Sequence, residues 1–330
     1  MGQLSLDTDW SYRGLRVITL ENELLRLQIL PEVGAKIWQI TYLPSGADLL
    51  WNNPRIPPAR HTIHTRYDDV WSGGWDELFP NDLETTIGGE CYPDHGELWT
   101  GTWEAEPFTS GDEVGVKLRF QTPVSAVSVE KTIMLRQGAA HIYFAHWFRN
   151  LGSTAFPFLW KLHPAFNVTA QHQIDFPPMR VVREPAYPGT LAEAPLEFAW
   201  PYARMRDREI DLRIVPCQNQ RQLYFFYGDQ MKSGWCALTN IATRLSCGFR
   251  FDPAVFPSCW LFASYGGWRN YSVAVLEPCT GYPLNFDTIV AAGRQRVLQP
   301  GESLSTNVLF TVQEGIASVS DIKENGVIVP

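Results

Sequence analysis

No apolar run in the sequence approaches the ~20 residues that a membrane-crossing helix needs, and positive charge is not in surplus. The 27 lysines and arginines are outnumbered by 35 aspartates and glutamates, for a formal net charge of −8. Nucleic acid and anionic membrane surfaces both call for a basic footprint, so neither is expected as a partner. Cysteine is sparse, with six in 330 residues, at positions 91, 217, 236, 247, 259 and 279. None forms a CxxC pair, which sets aside zinc-ribbon and thioredoxin-like readings. A chain of this length needs no disulfide framework, and reduced thiols are expected. The glycine patterns that cradle phosphates, GxGxxG and GxxxxGKS/T, are missing, as is the GxSxG nucleophile elbow. Met1 to Asp7 supplies neither a basic nor an apolar leader segment, so a cytoplasmic protein is expected.

What the chain does have is alternation. Leu25, Leu27 and Ile29 are interleaved with Arg26 and Gln28. Val114, Val116, Leu118 and Phe120 repeat the pattern, as do Leu304, Thr306, Val308 and Phe310. Period two with one apolar face predicts half-buried antiparallel strands. Turn signals separate these runs, among them Pro44-Ser45-Gly46, Ser110-Gly111-Asp112 and Pro300-Gly301. Helical signals are few, with short helices expected within Thr190 to Phe198 and Ile316 to Glu324. Strands do not alternate with helices as in a doubly wound sheet. The reading is an all-β sandwich or barrel, with residues 1–330 as a single domain and few short helices.

Two segments break the strand rhythm. Residues 52–100 are rich in Gly, Pro, Trp, His and Asp, and residues 252–293 carry Trp260, Tyr265, Trp268 and Tyr271 before Glu277. Long irregular segments in a compact domain are usually functional or disordered, and aromatics argue against disorder. The composition points the same way, with 13 Trp, 18 Phe and 12 Tyr. Trp and Tyr pair apolar faces with polar edges, which suits sugar rings, although a large sandwich core also needs bulky side chains.

Within these segments His95, His163, Glu277 and the loop Gly73 to Pro80 carry candidate chemistry. Glu277 follows the apolar run Val273 to Leu276, where a carboxylate is costly unless paired. A histidine and a carboxylate can divide the roles of proton donor and acceptor. His61 and His64, near Asp68 and Asp69, lie after Pro58 without a helical pattern, and neither a metal nor any other cofactor is expected.

The order of these motifs resembles the aldose 1-epimerase (galactose mutarotase-like) family. Gly34 to Trp51 is similar to its early hairpin. Gly73-Gly74 to Phe79-Pro80, His95-Gly96-Glu97 and Trp103-Glu104 follow in its order. Asn150 to Val168, Glu277-Pro278 and Leu298 to Ser303 complete the set. The resemblance implies a large antiparallel β-supersandwich with a sugar cleft on one concave sheet face. It implies an isomerase that interconverts the α and β anomers of a free or modified aldose, acting as a monomer or homodimer. By the same resemblance Glu277 is the general base on the anomeric hydroxyl, His163 the general acid on the ring oxygen, and His95 the histidine that helps polarise that oxygen. Candidate sugar contacts are Trp75, Asp76, Glu97, Trp99, Asp252, Trp268 and Arg55. Ser72 stands where members acting on hexose 6-phosphates carry arginine. The acidic Asp76, Glu77 and Asp82 read as unfavourable to phosphate. A lyase or other acid–base enzyme on the same fold, and a carbohydrate-binding protein without catalysis, stay open as alternatives.

Overall fold

The computed structural model describes residues 4–330; positions 1–3, part of the segment weighed as a leader, lie outside the described residues. Among the described residues antiparallel strands dominate, with two short α-helices, Tyr67–Val70 and Phe286–Ala291. Among the described residues no helix is long and apolar enough to cross a membrane. The chain forms two compact units. One holds the residues up to 164 together with 280–307, and the other holds 165–279 with 308–330.

In the first unit the strands Ile18–Glu21, Leu25–Leu30, Lys36–Tyr42 and Trp75–Leu78 lie side by side in that order. Residues 161–164 of the strand Lys161–Asn167 pair antiparallel with Trp75–Leu78. A second array runs Glu104–Ser110, Glu113–Gln121, Val127–Arg136, His141–Asn150, each antiparallel to the next. In the second unit Ser258–Tyr265 is flanked by Gln222–Asp229 and Ser272–Cys279. Its other array joins His172–Asp175, Trp235–Asn240, Leu245–Phe251 and residues 308–314.

The expected strands form because their apolar residues alternate. Val127, Val129, Ile133 and Leu135 bury one face of their strand, and Ile142, Phe144 and Phe148 do so on the next. The same alternation carries two polar residues inward. Lys131 and His146 are cross-strand partners, and both are buried. They meet Glu77, whose Oε1 lies 2.9 Å from Lys131 Nζ and 3.1 Å from His146 Nε2. The Trp160 indole donates to Glu77 Oε2 at 3.2 Å. Burial alone would raise the Glu77 pKa, but Lys131 and His146 outweigh it and hold the carboxyl well below its usual range.

The helices expected at Thr190 to Phe198 and Ile316 to Glu324 do not form. The first stretch holds the end of a single 3₁₀ turn, Gly189–Leu191, and then the strand Glu197–Ala199. Pro195 interrupts it, lacking an N–H and disfavouring helical backbone before it. In the second stretch Ile316, Val319 and Ile322 pack with Trp235 and Ala237 instead. The segment 52–100 is more regular than expected, with strands at Trp75–Leu78, Thr85–Ile87 and Glu90–Tyr92.

Removing one member of a buried ion pair leaves an uncompensated charge, a loss of about 3–5 kcal/mol. Lys131→Met is therefore expected to destabilise the protein by that order at pH 7 in denaturant titrations. The depressed Glu77 pKa stabilises the wild type above the unfolded value of the group, and this is lost only as pH falls through the folded value. In the variant Glu77 takes up a proton at higher pH, so the deficit should shrink on acidification. A pH-independent deficit would contradict the ion-pair account.

Candidate active site

The strand Trp75–Leu78 sends alternate side chains to opposite faces. Trp75 and Glu77 face Phe144 and the Lys131–His146 pair, respectively. Asp76 therefore points the other way. Its Oδ2 lies 2.5 Å from Lys36 Nζ, and the Tyr67 hydroxyl donates to the same oxygen at 2.7 Å. Lys36 opens the strand Lys36–Tyr42 and also donates to the Gly73 carbonyl at 2.7 Å. Lysine is almost never fully buried unless paired, and Lys36 is 3% exposed. Gly73 makes this approach possible. At its φ of +81°, a Cβ would stand 2.2 Å from the Trp51 carbonyl oxygen.

Directly across the ladder from Asp76 sits His163. Its Nδ1 lies 3.2 Å from the Tyr67 hydroxyl. His95 stacks on the other side of Tyr67, with ring centroids 4.2 Å apart and planes 10° from parallel. The two histidine rings stand 6.2 Å apart, edge to face. The His95 backbone is tied down by its N–H to the Asp82 carbonyl, at 2.5 Å. The following Gly96 has a φ of +74°, and any Cβ there would meet the Phe79 carbonyl oxygen at 2.1 Å. Asp94 braces both aromatic partners: Oδ1 lies 2.8 Å from His95 Nδ1, and Oδ2 accepts the Tyr67 N–H at 2.9 Å. Trp71 and Trp99 wall the group, Trp71 against His163 and Trp99 edge-on to Tyr67. A small recess opens beside them, bounded by Lys36, His61, Tyr67, Trp71, Ser72 and Trp99.

Electrostatics drive the two histidines apart. Burial lowers the His163 pKa well below its ordinary value, and the positive charges of Lys161, His95 and Lys36 add to the effect. Burial acts against the charged form of His95 too, but Asp82 and the hydrogen-bonded Asp94 outweigh it and raise its pKa. The two shifts run in opposite directions, and titratable neighbours pushed apart in this way are what acid–base chemistry uses.

The residues named from the sequence separate into groups. His95, His163 and Asp76 converge around Tyr67, with Trp99 at their edge. Trp75 packs on Phe144 at 4.7 Å on the opposite face of its strand. Glu97 is buried and accepts the backbone N–H groups of Val124 and Ser125 at 2.6 and 3.2 Å, so it anchors a turn. Arg55 is exposed, its N–H donated to the Asn53 side chain at 3.0 Å. In the second unit Asp252 is exposed and accepts the Ala254 N–H at 2.8 Å, as turn aspartates do. Trp268 there is half-buried against Phe262 and Tyr271, and Glu277 is buried opposite Trp260 in the strand Ser272–Cys279. The acidic loop is not a field of negative charge. Asp76, Glu77 and Asp82 each face a buried lysine, namely Lys36, Lys131 and Lys161. The sequence argument against phosphate therefore loses its basis.

Tyr67, Lys36, Trp71 and the bracing role of Asp94 were not foreseen. Only Lys36 left a signal, a charge beside the apolar Ala35 and Ile37 where a strand begins.

No family model and no curated protein matches the sequence. Solved structures do. Slr1438 from Synechocystis sp. PCC 6803 aligns over 95% of this chain and 100% of its own, at 17% identity and a TM-score of 0.67. A protein from Klebsiella pneumoniae subsp. pneumoniae, provisionally named an aldose 1-epimerase, aligns over 94% of this chain and 83% of its own, at 14% identity and a TM-score of 0.72. A galactose mutarotase-like protein from Clostridium acetobutylicum aligns over 94% and 99%, at 12% identity and a TM-score of 0.66. At such identities the likeness is one of architecture, and the chain has the galactose mutarotase-like fold.

Proposed function

We propose that the protein is an acid–base isomerase of the mutarotase type, acting on the anomeric centre of a free or modified aldose. The observation that carries this reading is the pair of histidines stacked on and bonded to Tyr67, His163 buried and His95 half-buried, with the pKa of His163 lowered and that of His95 raised. Opening a hemiacetal removes one proton from O1 and delivers one to the ring oxygen. Rotation about the bond to the aldehyde carbon and reversal of the transfers give the other anomer. His95, His163 and Glu277 are the proposed acid–base set. Trp99 and Asp76 are proposed to bound the sugar, in a protein active without metal or redox cofactor and located in the cytoplasm. General acid–base catalysis contributes roughly 10²–10⁴-fold per positioned group, enough to matter against slow spontaneous exchange. The balanced charge of the loop from Asp76 to Asp82 admits sugar phosphates as well as neutral sugars to the list of substrates worth testing.

Saturation-transfer NMR on a panel of free sugars and sugar phosphates tests the reading. The wild type should accelerate exchange between anomers of at least one. Glu277→Gln should lower that acceleration by about 10²–10⁴-fold while leaving sugar binding nearly intact, since the shape is kept and the base is lost. His163→Asn should lower turnover by a similar order, whereas His95→Asn should weaken binding as well as turnover. Line broadening without faster exchange would favour a binding protein, or another reaction on the same ring. Full activity in both Glu277→Gln and His163→Asn would overturn the assignment.

A further inference from the structure

Asp94 uses both carboxylate oxygens on the two members of one ring stack. Oδ1 lies 2.8 Å from His95 Nδ1, and Oδ2 accepts the backbone N–H of Tyr67 at 2.9 Å. The two rings so tied lie face to face, with centroids 4.2 Å apart. The Trp99 indole donates to the Asp94 carbonyl at 3.2 Å and stands edge-on to Tyr67 at 5.0 Å. One residue therefore joins the loop of His95, the start of the helix Tyr67–Val70 and one aromatic wall.

The backbone of His95 carries strain. Its φ is +61°, in the left-handed region where residues with a Cβ are uncommon and glycine is at ease. Such a conformation persists only where the surroundings over-determine it, and it clusters at active sites. Around His95 the determining contacts are the Asp82 carbonyl on its N–H, the Asp94 carboxylate on its ring nitrogen and Tyr67 against its face. An ionised carboxylate only accepts, so the ring nitrogen that it faces carries the proton. Desolvation works against the charge on Asp94, but His95, the Tyr67 N–H and Arg66 hold its pKa below the ordinary value. With Nδ1 protonated throughout, Nε2 is the ring atom that gains and loses the titrating proton.

We infer that Asp94 is a positioning residue: through its two oxygens it fixes His95 as an Nδ1–H ring stacked on Tyr67, so that His95 meets substrate through Nε2 alone. The substrate clause rests on the proposed isomerase, and the state of the ring stands without it. Asp94→Asn keeps the shape of the side chain and cannot keep both ties. An amide has one accepting oxygen and one NH₂ group that only donates. With the oxygen on His95 Nδ1, the NH₂ group meets the Tyr67 N–H, donor against donor. With the oxygen on the Tyr67 N–H, the NH₂ group meets Nδ1, and the neutral ring must become the Nε2–H tautomer.

Long-range ¹H–¹⁵N correlation on histidine-labelled protein reads the ring without substrate, with its signals assigned by His95→Asn. In the wild type His95 should keep a protonated Nδ1 on both sides of its titration, while the proton on Nε2 leaves as pH rises. A neutral ring with a bare Nδ1 overturns the inference, and this readout holds even if no Asp94 variant folds. In Asp94→Asn, either His95 shifts to the Nε2–H form or hydrogen exchange at the Tyr67 amide speeds up by about tenfold or more, the factor that losing a hydrogen bond to a charged group carries. If neither changes, Asp94 positions nothing. Desolvation opposes the His95 imidazolium, Asp82 and Asp94 favour it, and Lys161 opposes it, with His163 also facing the ring. Removing the Asp94 charge should therefore lower the His95 titration midpoint, and an unmoved midpoint would overturn the contact. On an active substrate Asp94→Asn should lower kcat/KM by up to the roughly 10⁴-fold that a wrong tautomer costs a catalytic histidine. The spectra and the exchange assay fail separately. An Nδ1–H ring without anomer exchange sinks the isomerase and leaves the role of Asp94, while exchange with a bare Nδ1 does the reverse.

Discussion

Two neighbouring carboxylates on one short strand govern the first unit. Asp76 and Glu77 point to opposite faces of Trp75–Leu78, and each is all but sealed from water. An ionised carboxylate in such a place is tolerated only when paired and hydrogen-bonded. Glu77 obtains Lys131, His146 and the Trp160 indole, which tie its strand to the array holding Lys131 and His146. Asp76 obtains Lys36 and Tyr67, and through Tyr67 it reaches His163. The inward face of the strand is thus spent on holding it still, and the outward face on orienting a titratable ring. Loosening the first would blur the second, because a site works only when its supporting shell fixes its geometry.

The pairing continues beyond this strand. Lys161 opens the strand that carries His163 and faces Asp82 at 2.5 Å. Three acids and three lysines therefore balance within a few residues of the two histidines. Balance of this kind matters more than the net charge of −8, because exposed charges are screened over about 8 Å at physiological salt while buried pairs are not. The potential felt by each histidine depends on which member of each pair it faces, and the two face different members.

The sequence legibly carried the strands and only part of the site. Period-two alternation from Leu25 to Ile29 and from Val114 to Phe120 became strands because side-chain direction in a strand is a local property. His95, His163 and the Gly-Gly loop were visible as motifs, and the structure brings Asp76 and the two histidines of that set to one ring of Tyr67. Lys131 and His146 sit inside otherwise apolar alternations and were readable as misplaced polar residues, but their partner Glu77 lies more than 50 positions away along the chain. Tyr67 had no signal, since nothing local marks a tyrosine whose hydroxyl will be captured by a distant ion pair. Trp75 lies away from the two histidines for a related reason: its neighbour Asp76 faces them, so the strand turns Trp75 to Phe144. The Pro195 break and the packing of Ile316 and Ile322 on Trp235 likewise overrode short helical spacings.

The abundance of aromatic residues acquires a second meaning at this site. Trp71 and Trp99 stand edge-on to His163 and Tyr67, and Tyr67 covers the face of His95. These rings shield His163 almost completely and His95 in part, and desolvation by itself disfavours the charged form of either one. Aromatic walls alone would leave two neutral imidazoles and no proton donor. Fixed charges make the difference, because low dielectric strengthens every nearby charge: Asp82 and Asp94 at His95, Lys161 and Lys36 at His163. Desolvation supplies the gain and the carboxylates supply the sign. A single substitution at Asp94 is then enough to reduce the asymmetry between the rings, although it removes no aromatic contact.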